Sequence, residues 1–181
     1  MLGIVYTEFM DMVKDRFSEE VLDDLLDAPG LSTEGAFTSV GYYTHTDMIK
    51  LVVTLSQVTD IPVDTLVEVF GEHLFGVLIS KYPTLAEGKS NTIEMLESVD
   101  GTIHIEVMKL YPNAELPSFT CQRLGENHLL MQYRSKRPFS LLALGLIKGC
   151  AKYYGETLEI SHESFDTESM FETHFDIRNL S

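Results

Sequence analysis

The hydrophobic pattern of this 181-residue chain changes from a helical spacing to an alternating one near Pro117. Before that proline, apolar residues recur three or four positions apart, which is the spacing of one face of an α-helix. After it, apolar and polar residues alternate along several short runs, as in β-strands that have one face in water. Helices first and strands late predict an α+β fold, in which an N-terminal helical part precedes a C-terminal part with helices and a four-stranded antiparallel sheet.

Local signals predict where several helices lie. Val5 and Phe9 share one face of the first helix, and Ser18 is a typical N-cap for the second. Residues 139 to about 154 are apolar on every side, so they predict a buried helix. The segments 30–35 and 88–91 are rich in turn-forming residues and predict loops.

Charge and cysteine content exclude several classes of partner. The 13 basic and 28 acidic residues give a net charge of −15, which repels the phosphates of nucleic acids and anionic lipid headgroups. Two cysteines without a C-x-x-C pair, Cys121 and Cys150, cannot build a disulfide framework and suit a reducing compartment. The N-terminus lacks the pattern of a secretory signal, and no apolar segment is long enough to span a bilayer. We therefore expect a cytoplasmic domain without nucleic-acid or membrane partners.

The second predicted strand changes character along its inward face. Leu129 and Met131 begin that face as core residues, but Tyr133, Ser135 and Arg137 continue it with polar groups. Burying such donors costs about 1–3 kcal/mol each when they are unpaired. A carboxylate or phosphate ligand would satisfy all three, because residues two apart project to the same side. Alternatively, a Glu or Asp elsewhere in the chain pairs with the arginine.

His104 is the second candidate for a functional residue. In a helix it shares a face with Val107, Met108 and Tyr111, so it is either a satisfied core histidine or a metal ligand. Alternating apolar residues around it would also allow a strand. Four other histidines have no partner at the spacing of a metal site. His45 is predicted in a loop just before a helix that opens at Thr46, and His128, His162 and His174 are predicted on strands. No nucleotide-binding or hydrolase motif is present, which argues against those enzyme classes.

The run Tyr133-Arg134-Ser135-Lys136-Arg137 resembles the YxSxR motif of the haem–nitric oxide/oxygen binding (H-NOX) domains, which are related to the haem domain of soluble guanylate cyclase. His104 stands where the family has its proximal haem ligand, and Pro117 matches a proline that presses on the porphyrin. The resemblance covers essentially the whole chain. It implies one haem domain over residues 1–181, with a distal helical part of about 1–60, a proximal part with the sheet of about 61–181, and the haem buried between them.

The resemblance also implies a cofactor and the residues that hold it. The cofactor would be haem b, iron protoporphyrin IX, with His104 on the iron and Tyr133, Ser135 and Arg137 at the propionates. In the family, nitric oxide binds ferrous haem and weakens the opposite histidine–iron bond, and the resulting change of conformation is the signal.

The distal side of the haem decides which gas binds. Leu142 stands where oxygen-binding members of the family have a tyrosine, and Phe9 and Val5 are expected to line the same pocket. Bound oxygen is stabilised by a hydrogen-bond donor, whereas nitric oxide needs none. The resemblance therefore implies stable NO and CO complexes and no stable oxygen complex under air.

The function that follows is a haem-based NO sensor rather than an enzyme. Bacterial stand-alone relatives act in trans, which implies a histidine kinase or a cyclic-di-GMP enzyme as the partner. Two alternatives stay open. A cofactor-free interaction domain would have His104 and Arg137 paired internally, and a haem enzyme would need a polar distal side.

Overall fold

The computed structural model describes all 181 residues and contains six α-helices followed by one antiparallel sheet, with a seventh helix between the second and third strands. The α-helices are α1 (Gly3–Arg16), α2 (Glu19–Leu26), α3 (His45–Thr59), α4 (Val63–Lys81), α5 (Thr92–Ser98), α6 (His104–Leu110) and α7 (Ser140–Tyr154). A 3-10 helix (Pro83–Ala86) follows α4, and a π-helical turn (Val99–Ile103) joins α5 to α6. The strands are β1 (Ser118–Gly125), β2 (His128–Ser135), β3 (Leu158–Ser164) and β4 (Phe171–Asn179). The predicted α+β fold is confirmed.

Most predicted helix ends agree with the structure. Ser18 caps α2, because its Oγ accepts a hydrogen bond from the amide of Val21 at 3.2 Å. Helix α3 begins one residue earlier than predicted, so His45 is its first residue and is not in a loop. Thr44 is the N-cap of α3, and its hydroxyl oxygen accepts a hydrogen bond from the amide of Thr46. No helix combines the length and the hydrophobicity needed to cross a bilayer.

The sheet has the order β1-β2-β4-β3, so β2 and β4 are central and β1 and β3 form the edges. A turn at residues 126–127 joins β1 to β2. The register places Tyr133 opposite both Phe119 and Thr173. Leu129, Met131 and Tyr133 are buried on the inner face, as the alternation predicted.

Two apolar clusters form most of the core. One is formed by the four helices α1, α2, α3 and α4 and includes Tyr6, Phe9 and Phe70. The other is formed by α5, α7 and the inner face of the sheet. Leu142 and Leu146 of α7 also pack against the helical cluster. Helices α4 and α7 thus link the two clusters, while the division of the chain near residue 60 stays a prediction.

The two linking helices pack closely because glycines meet at their crossing. A methyl group on Gly71 would lie 2.7 Å from the Cα of Gly145 and 2.8 Å from the amide nitrogen of Leu146. Real Cβ atoms do not approach backbone that closely, so only glycine allows this helix separation. The crossing brings the helical part against the part that carries the sheet.

Candidate functional site

The three polar residues of the motif lie close together, but β2 ends at Ser135, so Arg137 lies in the turn after the strand and not on the strand face that the alternation predicted. Tyr133 is buried, and its hydroxyl donates to the carbonyl oxygen of Arg137 at 3.2 Å. The Oγ of Ser135 accepts from the amide of Arg137 at 3.0 Å. Burial raises the pKa of Tyr133, so its phenol stays protonated and available as a donor. The chain therefore closes into a compact turn directly after the strand.

The guanidinium of Arg137 has an internal carboxylate partner in this structure. Its side chain is only 15% exposed, its Nη1 donates to the carbonyl oxygen of Glu115 at 3.1 Å, and its Nη2 pairs with the Glu115 carboxylate. This is the internal pairing that the sequence left open as an alternative. The Glu115 side chain, however, is 74% exposed, so water screens the pair and a competing anion can replace it at little cost.

His104 is the most enclosed of the candidate metal ligands. Its side chain is 16% exposed, and its Nδ1 makes no hydrogen bond, although it lies 3.4 Å from Oδ1 of Asp100. Burial lowers the pKa of His104 below its ordinary value, while Asp100 acts in the opposite direction. The imidazole is therefore mostly neutral at pH 7 and has a lone pair free to bind a metal.

Asp100 is a site residue that sequence reasoning missed. Besides facing His104, its Oδ1 accepts the amide of Phe119 at 3.2 Å, so one carboxylate joins the histidine to the start of β1. A carboxylate next to a histidine is the usual means of orienting a metal-ligating imidazole. The available signal was its position four residues before His104, which is the spacing of one helical turn.

The helix that His104 begins is short and lightly packed. The segment is helical rather than extended, and the π-helical turn immediately precedes it. Met108 was expected to share a buried face with His104, but it is 50% exposed, and Ile105 is similarly exposed at 48%. That expectation was wrong because α6 has only seven residues and packs appreciably against the π-helical turn alone.

Aromatic contacts connect His104 to the motif strand. The rings of His104 and Phe119 have centroids 5.7 Å apart, and those of Phe119 and Tyr133 are 5.6 Å apart. Phe119 was also missed, although its inward position on β1 was readable from the alternation. Pro117, two residues earlier, is half-buried in the segment that joins α6 to β1. The structure thus brings the histidine and the motif close to each other.

The residues predicted to line the distal side gather in the helical core. Phe9 is fully buried and meets Phe70 edge to face with centroids 5.1 Å apart, while Val5 and Leu142 pack against the same cluster. The hydroxyl of Tyr6 in this core is already engaged. It donates to the carbonyl oxygen of Thr44 at 2.6 Å and accepts from the amide of Met48 at 3.1 Å. The residues expected on the distal side are therefore apolar, and the nearby Tyr6 hydroxyl is already hydrogen-bonded to the backbone.

Comparison with known proteins identifies the family. Residues 2–162 match the family model described as Haem-NO-binding. The chain belongs to the haem-NO-binding family. This confirms the resemblance drawn from the sequence. H-NOX domains bind haem and act in gas sensing, so a haem-based sensing domain is the class of this chain.

Solved H-NOX structures share the whole fold. The unliganded Fe(II) protein from K. algicida is 36% identical, with a TM-score of 0.93 over 100% of this chain and 97% of that chain. The Shewanella woodyi protein, solved with IWP-051 in the Fe(II)CO state, is 44% identical, with a TM-score of 0.82 over 98% of this chain and 94% of that chain. The S. oneidensis protein in the Fe(II)NO state is 25% identical, with a TM-score of 0.90 over 100% of both chains.

Curated relatives are much longer proteins. The soluble guanylate cyclase gcy-35 of Caenorhabditis elegans is 22% identical over 172 residues, which make up 93% of this chain and 24% of the cyclase. A second cyclase from the same organism, gcy-32, matches over 84% of this chain and 23% of its own length. The H-NOX chain therefore spans about a quarter of the curated relatives that it matches.

Proposed function

We propose that this chain senses nitric oxide through haem b and regulates a signalling partner in trans. The observation that carries the proposal is the state of His104, an enclosed and mostly neutral imidazole whose Nδ1 faces the Asp100 carboxylate and whose Nε2, without a hydrogen-bond partner, is left for a metal. Such a group fits an iron ligand better than a satisfied core histidine, because buried polar atoms otherwise have hydrogen-bond partners.

The chain's own residues fit an iron porphyrin. His104 would hold the iron, and Tyr133, Ser135 and Arg137 would bind the propionates, for which a low-exposure guanidinium is suited. Glu115, which pairs with Arg137 here, would then yield its place to a propionate. Ferrous haem held there would supply an iron site that binds NO and CO.

The surroundings of His104 suit a residue that must move. Helix α6 has few contacts beyond the π-helical turn, and segments with so little packing open at low free-energy cost. A displacement of His104 would reach the first strand through Asp100, which lies 3.4 Å from the histidine Nδ1 and accepts a hydrogen bond from the amide of Phe119. Pro117 lies between the two elements and would move with them.

The apolar distal side supports discrimination against oxygen. Val5, Phe9 and Leu142 offer no hydrogen-bond donor, and the hydroxyl of Tyr6 is already occupied. We expect stable NO and CO complexes and no stable oxygen complex, because iron-bound oxygen needs a donor to stabilise its negative charge.

The remaining parts of the proposal concern the signalling context. We propose that the distal part is about residues 1–60 and the proximal part about 61–181, with the haem between them. The partner would be a histidine kinase or a cyclic-di-GMP enzyme in the cytoplasm. The net charge of −15 supports a basic docking surface on that partner, because complementary charge speeds encounter.

The test is the absorption spectrum of the purified protein. The anaerobic ferrous protein should show an intense Soret band that shifts on addition of NO and, separately, of CO, and air should produce no oxy spectrum. His104→Ala should lose most of its haem, since the iron would lack its protein ligand. His162→Ala is the matched control, because that histidine is exposed on edge strand β3.

The outcomes separate the alternatives. Protein that is colourless after expression with ample haem, and that does not take up added hemin, would leave the cofactor-free interaction domain as the better description. Full haem retention by His104→Ala would contradict the assigned iron ligand. A stable oxygen complex would contradict the NO selectivity while leaving haem binding intact.

A further inference from the structure

An open cleft of about 520 Å³ lies beside the motif turn. One wall is the start of α3, including His45, and the other comprises Arg137 and the segment before β1, including Asn113 and Glu115. The cleft therefore has one side from the helical part of the chain and one from the part that carries the sheet.

His45 is a polar group on this cleft without a partner. Its imidazole is half-buried and makes neither a hydrogen bond nor an ion pair with any residue. Its ring meets Phe139 edge-on, with centroids 6.3 Å apart, which holds the imidazole at the cleft wall. Burial, the Arg137 guanidinium and the amino group of Met1 lower the pKa of His45, while the Glu115 carboxylate acts in the opposite direction. The neutral ring still carries one N–H donor.

We propose that His45 and Arg137 form a carboxylate site that bridges the two parts of the chain, and that its ligand is a propionate of the porphyrin. The inference rests on the proposed function, and it adds a residue that lies outside the YxSxR motif. A carboxylate has two oxygens, so it can accept from a guanidinium and from an imidazole N–H at once.

Glu115 supports the chemistry of this site. Its carboxylate already lies on the cleft and pairs with Arg137, so a carboxylate of the ligand class fits there. Because that side chain is mostly exposed, an incoming propionate can displace it into water. The same propionate would then contact a residue of α3 and a residue beyond β2, and would hold these two elements together.

The test compares hemin release from variants at position 45. Hemin transfer to excess apomyoglobin is measured for the wild type, His45→Phe and His45→Gln. The phenylalanine keeps a ring against Phe139 but has no donor, whereas the glutamine keeps a donor and loses the ring. His45→Phe should release hemin about tenfold faster, as expected for one hydrogen bond to a charged group, and His45→Gln should stay near the wild type.

A modified porphyrin shows whether the effect acts through the carboxylate. With hemin dimethyl ester, which has no free propionate, wild type and His45→Phe should release the porphyrin at equal rates. His162→Phe, at an exposed edge position, is the control and should match the wild type with both porphyrins. If His45→Phe does not fold, His45→Leu is measured in its place, because it also lacks the hydrogen-bond donor.

Three results would overturn the inference. Wild-type hemin release by His45→Phe shows that no bond is made. Equal acceleration with hemin and with its diester shows that His45 only packs. Hemin release that is as slow as the wild type in His45→Phe but faster in His45→Gln shows that the ring of residue 45 matters and its hydrogen-bond donor does not. In each of these cases the protein still binds haem and the proposed function stands, whereas wild-type protein that takes up no hemin contradicts both.

Discussion

The glycine crossing between α4 and α7 gives a prediction whose size follows from the structure. A methyl group added at Gly145 would lie 2.8 Å from the Cα of Gly71 and 2.9 Å from the carbonyl carbon of Glu68, and still closer to that residue's carbonyl oxygen. All of these are backbone atoms, so no side-chain rotation relieves the contact. Gly145→Ala must therefore push the two helices apart.

The expected loss of stability combines two opposing effects. Overpacking of a tight core costs about 1–3 kcal/mol, and here the cost lies in the upper part of that range because only backbone can move. Alanine returns about 1 kcal/mol through its higher helix propensity. The net change is a destabilisation of about 1–2 kcal/mol, which lowers the Tm of a chain of this size by about 2–8 °C.

Gly76 provides the matched control in the same pair of helices. It lies inside α4, is exposed, and has no atom within 4 Å of the position of an added Cβ. Gly76→Ala should therefore raise the free energy of unfolding by about 1 kcal/mol through helix propensity alone. Thermal unfolding followed by circular dichroism measures both variants beside the wild type. A Gly145→Ala protein with a Tm at or above that of the wild type would refute the close-packing argument.

Two further predictions concern the site and the thiols. Asp100→Asn should lower the pKa of His104 further, because it removes the carboxylate that favours the imidazolium. It should also weaken iron retention by about 10–100-fold. NMR titration of the apoprotein measures the pKa and hemin release measures the retention, and an unchanged histidine titration would contradict the prediction. Burial raises the pKa of Cys121 to about 11 and that of Cys150 to about 12, so at pH 8 both should react with a thiol reagent at least roughly a hundredfold more slowly than free cysteine. Labelling of the native protein at the rate of the urea-unfolded protein would show that these thiols are not protected.

Much of the fold could be predicted because its signals are local. The Ser18 cap, the turn between β1 and β2 and the alternation along β2 each depend on residues a few positions apart. The face of α6 was predicted wrongly at Met108, since helical spacing says which residues share a face but not whether anything covers it. The tight crossing at Gly145 was likewise not readable, because it depends on a second helix remote in the chain.

The sequence by itself determined that Tyr133 and Ser135 project to one side, because a strand repeats every two residues whatever surrounds it. It also determined that position 104 carries an imidazole, which can bind a metal ion. Only the tertiary structure decided that Arg137 meets Glu115, that Asp100 joins His104 to β1, and that His45 lines the same cleft as Arg137. Such contacts depend on how whole elements pack against one another, and backbone periodicity within one element carries no information about them.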